Sequence, residues 1–443
     1  MEGAVRIKRK HFFREHWIMI LILLLLLFER LYMLSRLGPT YSLESDDLSY
    51  VKAGITLYET KTLTMHGVVS AQIMPGMPAL ISLFVPLFGT GERLWLALKV
   101  LWCIMGTLAP WFLYLAIREW APKYAALLPT LFFFTPDFAW QDNLILSETP
   151  FMMLTCLYLY GVFRMAKHRD WGSFVIVFLA AFCCLMLKAQ AMFYFVAPIP
   201  YLALKKYPST TLYLQSFIGL VLLALFIVPW SIRNYYHFEE RIPLTYGIGN
   251  PLLLGTYQGE GYPPDEAFDY NAQVTEPLME KYAHLVDDEG KMSEKHLRFF
   301  YMKGDEARAR LRMDYWWKHD RDSMLRSYFL LKPQKMLFET FYWDEVVPHT
   351  KDPIIFSRTV EFYLSMFALV VAIVCRKYVK EVLFVLLMYW IQVYMYAYAY
   401  VFDRYAQTLL PYRYIALGLG FAAFVYGIGR MVRRRRLKKS FGI

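Results

Sequence analysis

Two acids stand side by side at Asp46 and Asp47, a few residues after a long run of leucines, in "YSLESDDLSYVKAG" (41–54). A carboxylate near its ordinary pKa can take a proton from a hydroxyl that becomes acidic as it forms a bond. The same pair can complement the positive end of a helix, with Ser45 as its cap. Other ionisable side chains lie inside or at the ends of strongly apolar runs. These are Arg93 and Lys99, Lys188 in "LMLKAQAM", Arg233 in "PWSIRNYY" and Arg404 in "FDRYAQ", with Asp142 and Glu148 in "DNLILSETPF". Charge at such places costs free energy and marks function more often than surface charge does; snorkelling to the interface is the competing role for each cation.

The elements that must position these groups are membrane helices. Of 443 residues, 57% are hydrophobic, 18% aromatic and only 19% charged, more apolar than a soluble domain tolerates. The opening run "HWIMILILLLLLFERLYMLSRL" is too long for a signal-peptide core and no small-residue cleavage site follows, so it is expected to remain as a helix. Runs of spanning length follow at 92–117, 122–137, 150–166, 171–187, 189–204, 211–231, 357–375, 380–401 and 406–429. The expectation is an all-α polytopic membrane protein of about ten transmembrane helices.

The basic flanks "RIKRKHFFR", "REWAPK", "RMAKHR", "RKYVK" and "RMVRRRRLKK" fall on one side if both termini are cytoplasmic. The formal charge of +11 is then mostly topological signal, and the tail 431–443 meets anionic membrane lipids and no nucleic acid. The five cysteines, Cys103, Cys156, Cys183, Cys184 and Cys375, all fall in apolar runs, form no disulfide or metal pattern, and are expected to pack. Two outer segments remain, 38–91 and 232–356, the second turn-rich and acidic and then helical, reading as a cap on the membrane face. The chain thus divides into a transmembrane module at 1–231 carrying the 38–91 loop, the cap at 232–356, C-terminal helices at 357–430 and the tail. Within the first loop, 48–58 has the spacing of a short amphipathic helix lying in the interface, with the two acids in its first turn. Eight residues from Gly38 to Asp46 span at most roughly 26 Å, so the acid stays within reach of a lipid headgroup.

An ordered series of motifs resembles the GT-C superfamily of polyprenyl-phosphate-sugar-dependent glycosyltransferases, in the branch of protein O-mannosyltransferases and lipid A aminoarabinose transferases. The series is "DDLSYVKAG", "MPGMPALISLFVPLFG", "WLALKVLWCIMGTL", "NLILSETPFMMLTCLYLY", "PWSIRNYYHFEERIPLTYGIGNPLLLGT" and "DRYAQTLLPYRYIALG". Asp46-Asp47 stands where the family commonly has Asp-Glu, and Lys99 and Lys188 stand where Arg is frequent. The resemblance implies a GT-C fold with juxtamembrane helices and a mostly helical cap. It also implies inverting transfer of a sugar from a polyprenyl (undecaprenyl-type) phosphate to a hydroxyl, on the extracytoplasmic face of a bacterial plasma (inner) membrane.

The implied chemistry needs one base and several cations, because a departing phosphate is already a good leaving group and asks for charge rather than a proton. A glycoside hydrolase, which must protonate an alkoxide, uses two carboxylates instead. By resemblance the base is Asp46, with a lesser role for Asp47. The phosphate ligands are drawn from Lys188, Arg404, Arg233, Lys99 and Arg93, and Glu148 with Asp142 binds acceptor or supports the base. Asp46, Glu148 and His66 also form a candidate site for a divalent cation, Mg or Mn. Trp316, Trp317 and Trp343 suit an acceptor surface or an interfacial belt. A secondary transporter would show paired broken helices in corresponding halves, which the sequence lacks. An O-antigen ligase or polymerase would place its chemistry in the large loop, at His319 and Arg321 of "KHDRDSMLR". Neither the sugar, the acceptor nor the oligomeric state is legible.

Overall fold

The computed structural model describes residues 2–343, 347 and 351–440. Residues 344–346 and 348–350 of the expected cap, 441–443 of the expected tail, the side chains of 435 and 437–440 in that tail and the side chains of the basic flank up to residue 12 lie outside the described residues. The principal helices, in chain order, are α1 (Glu2–Leu37), α2 (Asp46–Thr60), α3 (Glu92–Arg118), α4 (Glu148–His168), α5 (Trp171–Leu187), α6 (Ser209–Phe238), α7 (Glu294–His319), α8 (Lys351–Cys375), α9 (Val379–Tyr398) and α10 (Asp403–Ser440). Among the described residues, α1, α3, α6, α8, α9 and α10 are long and apolar enough to cross a membrane.

The remaining apolar runs build the bundle differently from the ten-helix expectation. Residues 122–137 are divided among a short helix Lys123–Leu127, a 3₁₀ turn Leu128–Phe133 and the helix Pro136–Gln141. Pro129 and Pro136 lack the N–H that would continue a helix and clash with the preceding turn. Residues 189–204 break in the same way into a 3₁₀ stretch Ala189–Phe195 and a helix that restarts at Pro198. Helix α4 is the enclosed centre: Phe151, Met152, Cys156, Leu159 and Val162 are fully buried, with α3 and α5 alongside and α10 also in contact. Helices α8 and α9 pack on α10. Of the cysteines, Cys103, Cys156 and Cys184 are buried as expected, whereas Cys183 is exposed on α5.

The 38–91 loop is anchored to this bundle. Helix α2 turns Val51, Ala53 and Gly54 inward, and Val51 joins Met77, Ile81, Leu98 and Trp102 in one apolar cluster. Burying Val51 contributes about 1.5–3 kcal/mol to holding the helix down. A Cβ at Gly54 would lie 2.4 Å from the Ile81 side chain, so only glycine lets α2 sit this close to the helix Gly76–Ser82. A two-stranded hairpin, β1 (Thr64–Met65) and β2 (Val68–Val69), follows α2. In the cap, Ala71, Phe238, Tyr246, Tyr282 and Phe299 form a separate core that ties the loop, the end of α6 and α7 together.

Candidate active site

Four element ends meet at one level. Asp46 opens α2, Glu148 opens α4, Arg404 lies one residue inside α10, and Lys188 caps the end of α5. Arg404 donates from Nη2 to Asp46 Oδ2 at 2.6 Å, and its Nε lies 3.6 Å from Glu148 Oε1. Lys188 Nζ donates to that same Glu148 oxygen at 2.9 Å. The order is therefore cation, acid, cation, acid, with the two cations held about a single carboxylate. Glu148 is buried, whereas the Asp46 side chain keeps 32% of its surface open. Arg404 Nε has no hydrogen-bond partner of its own, which leaves a buried donor able to take a ligand oxygen.

Aromatic rings wall the cluster. Lys188 Nζ lies 4.5 Å from the Tyr405 ring centre and 5.7 Å from that of Phe151, and Tyr405 stacks on Tyr396. Low polarity around the charges strengthens their interaction with anything that enters. Three helix N-termini, those of α2, α4 and α10, bring positive dipole ends to this level. Burial, and then the negative charges of Asp46 and Glu148, raise the pKa of Tyr50, so its hydroxyl stays protonated beside the acids. The arrangement suits a phosphate next to an accessible carboxylate.

Asp47 is not part of it. Its side chain is buried and folds back on the approach loop, accepting from the Leu43 N–H at 2.8 Å and the Ser45 N–H at 3.2 Å. Ser45 in turn makes no side-chain cap, so the expected serine cap is absent, and Asp47 holds the loop ahead of the helix instead. Adjacent residues on a helix point about 100° apart, and the two acids take opposite tasks for that reason. Lys99 is buried with its Nζ on the carbonyls of Gly38 and Tyr41, at 3.1 and 2.7 Å. Arg233 donates to the carbonyls of Ser70 and Leu63 at 2.8 and 3.4 Å. Both fasten the loop by its main chain. Arg93 is exposed at the start of α3 with no ion pair among the described residues.

Asp142 pairs behind the site with Arg30 at 2.7 Å, both fully buried, and accepts from Thr149 Oγ1 at 2.7 Å. The expected cation ligands do not converge. Asp46 and Glu148 are joined through Arg404, and His66, at the tip of the hairpin, faces Ser49 Oγ at 3.3 Å. Among the described residues no group of three or more His, Cys, Asp or Glu is placed to hold a metal ion. Burial, then Arg298, lower the His66 pKa against an opposing pull from Asp46, and a neutral imidazole results at neutral pH.

In the cap, Trp316 is buried, with Nε1 donating to Ser323 Oγ at 2.7 Å, so it is core rather than acceptor surface. Trp317 and Trp343 are exposed, and Arg321 covers the Trp317 ring at 4.1 Å. His319 stacks on Tyr315 with ring centres 3.8 Å apart. Among the described residues, neither His319 nor Arg321 is bonded to the four-residue cluster.

One buried network escaped the sequence. Arg358 Nη2 donates to both oxygens of Asp137 at 2.8 and 3.1 Å, its Nη1 reaches Glu361 at 3.0 Å, and Gln407 Nε2 joins Asp137 at 2.9 Å. Gln407 lies one turn after Arg404, so the network fixes the start of α10. Arg358 and Glu361 stand inside an apolar run, and that was the available signal.

Residues 72–232 match the family described as dolichyl-phosphate-mannose-protein mannosyltransferase. The stretch contains Lys99, Glu148 and Lys188 and stops short of Asp46 and Arg404. No curated protein matches the chain. Two solved structures are similar at low identity. ArnT from Cupriavidus metallidurans bound to undecaprenyl phosphate is 13% identical, covers 94% of this chain and 78% of its own, and gives a TM-score of 0.41. The apo state of that protein is 14% identical, with 92% and 77% covered and a TM-score of 0.39. The family match supports the GT-C superfamily resemblance and, through 72–232, makes the chain similar to membrane glycosyltransferases.

Proposed function

We propose that this chain is an inverting membrane glycosyltransferase that moves a sugar from a polyprenyl (undecaprenyl-type) phosphate to a hydroxyl acceptor on the extracytoplasmic face. The observation that carries the reading is the Lys188–Glu148–Arg404–Asp46 cluster, two cations and an accessible carboxylate at one end of the bundle.

In this reading the acceptor oxygen attacks the anomeric carbon while its proton passes to Asp46. The bond from that carbon to the phosphate oxygen breaks, and its electron pair stays on the phosphate. Lys188 and Arg404 hold the phosphate as its charge grows, which lowers the barrier more than it tightens ground-state binding. A single displacement inverts the anomeric centre. Arg404 contacts both Asp46 and Glu148, so an incoming phosphate draws it from Asp46 and frees the base as the donor seats. Glu148 acts as a positioning residue for both cations.

Two cavities fit the two substrates. A cavity of about 660 Å³, lined by Phe174, Phe178, Met192, Phe195 and Leu220, lies between α5 and α6 and includes Gln190, two residues past Lys188. Its walls are almost wholly apolar, which suits an isoprenoid chain whose phosphate rests at Lys188. On a neighbouring flank of α2, Ser49, Lys52, Thr56, Thr64 and His66, with the apolar Leu48 and Ile55, line a cavity of mixed polarity of about 610 Å³, which suits a hydroxyl-bearing acceptor approaching Asp46.

The test uses the full chain in lipid nanodiscs with undecaprenyl phosphate, and then with lipid-phosphate sugars. Stabilisation by undecaprenyl phosphate that Lys188→Gln and Arg404→Gln weaken, with transfer lost in Asp46→Asn, supports the reading. Wild-type protein that neither binds this lipid nor transfers sugar from it overturns the reading.

A further inference from the structure

Helices α8 and α10 run together from the face that carries the cluster to the opposite end. From Arg404 to Arg430 is roughly 26 residues, or about 39 Å at the helical rise, close to the thickness of a bilayer with its headgroups. Arg430 therefore stands in the headgroup layer opposite Asp46.

At that level Arg376, Arg430 and Arg434 border a cavity of about 430 Å³ together with Val374, Cys375, Gly427 and Met431. A Cβ at Gly427 would lie 2.6 Å from Cys375 Sγ, so the glycine lets the two helices touch there and one wall of the cavity is this contact. Arg430 and Arg434 are four residues apart on one face of α10, where like charges repel. Arg376 follows the last turn of α8 with φ 53°, in the left-handed region, which places its side chain beyond the helix end. Among the described residues, none of the three guanidinium groups has a carboxylate partner. Three unpaired cations around one cavity call for an anion with several oxygens.

The remaining lining says where the anion comes from. Val374 is 75% exposed and Met431 58% exposed, both apolar and both beside the arginines. A soluble phosphate has no use for them, whereas an acyl chain covers them.

We propose that this cavity binds the phosphate of an anionic phospholipid from the leaflet opposite the catalytic cluster, with the guanidinium groups of Arg376, Arg430 and Arg434 on the headgroup and Val374 with Met431 against the acyl chain. The site is distinct from that of the donor lipid, which meets Lys188 at the other face, and the inference stands whether or not the glycosyltransferase reading holds.

The experiment is native mass spectrometry of the full chain, titrated with phosphatidylglycerol, phosphatidylcholine or inorganic phosphate. Wild type is expected to retain phosphatidylglycerol selectively. The double variant Arg430→Gln with Arg434→Gln should lose affinity for it by roughly 10-fold or more, the scale of a charge-assisted contact, with phosphatidylcholine binding unchanged. Arg436→Gln removes an exposed charge from the same helix without touching the cavity and should keep wild-type affinity. Melting in lipid-free detergent establishes that each variant is folded. Equal phosphatidylglycerol affinity in wild type and the double variant overturns the proposal. So does an equal loss in Arg436→Gln, which would make the tail a diffuse basic surface, and so does competition by inorganic phosphate at the lipid's own affinity, which would make the cavity a soluble-anion site.

Discussion

Arg404 and Asp46 are separated by 358 positions and joined by a 2.6 Å hydrogen bond. The contact links the first outer loop to the last helix, so the proposed base and one proposed phosphate ligand are set by the same bond. Asp46→Asn is expected to lower sugar transfer by at least roughly 100-fold, the usual scale of a lost general base, while melting temperature and undecaprenyl phosphate binding stay near wild type. Asp47→Ala should do the reverse. It strands the Leu43 and Ser45 N–H groups and costs about 1–3 kcal/mol of stability, read by thermal unfolding. Asp47→Asn keeps an accepting oxygen and costs less. Normal turnover in Asp46→Asn would remove the assigned base.

The shared carboxylate of Glu148 makes a second expectation. Lys188→Gln and Arg404→Gln should each lower turnover by roughly 10- to 150-fold, and the double variant by less than the product, because neighbours with a common partner are not additive. Glu148→Gln leaves Lys188 without its counter-charge and Arg404 with Asp46 alone. Its melting temperature should fall in detergent and recover in part on adding undecaprenyl phosphate, whose charge stands in for the missing acid. Additive losses in the double variant would mean that the two cations serve different groups.

Sequence reading placed the long helices well, because α1, α3, α6, α8, α9 and α10 each announce themselves by an unbroken apolar run. It failed at 122–137 and 189–204, where a hydropathy window averages over Pro129, Pro136 and Pro198 and cannot register the break. Asp46, Glu148, Lys188 and Arg404 were legible as charges at the ends of apolar runs, and these are the four that meet. Adjacency could not say which of Asp46 and Asp47 turns inward, since that depends on two backbone N–H groups of a loop. The pairing of Arg30 with Asp142 was hidden by a separation of 112 positions. Lys99 and Arg233 read as anion ligands because no sequence pattern marks a backbone carbonyl as a partner.

Lys332 gives a pH dependence. It is buried in the cap, donates to the Gly255 carbonyl at 3.0 Å and lies 3.8 Å over the Tyr328 ring. Loss of solvent pushes its pKa down to about 7. The unfolded chain, with an ordinary lysine near 10.5, then binds more protons than the folded one between those values, so stability rises as pH goes from about 7 towards 10.5. Melting temperatures at pH 7, 8 and 9 should climb in wild type, and Lys332→Met should flatten that rise. An unchanged slope in the variant would assign it to another group.

Sidedness can be read by labelling. Cysteines placed at Thr60 and Ser293, both exposed on the face of the cluster, are expected to react with an impermeant maleimide in intact cells. A cysteine at Arg169, exposed in the turn between α4 and α5, should react only after lysis. The opposite pattern would invert the molecule and put the cluster in the cytoplasm.

Lys99 and Arg233 grip the 38–70 loop through carbonyls of Gly38, Tyr41, Leu63 and Ser70, and a carbonyl is the same in every residue. The mounting of α2 is thereby decoupled from the side chains that α2 displays. Ser49, Lys52 and Thr56 can be exchanged without loosening the clamps, so in the proposed reading acceptor preference is open to redesign by replacing those three positions while the carboxylate of Asp46 keeps its address.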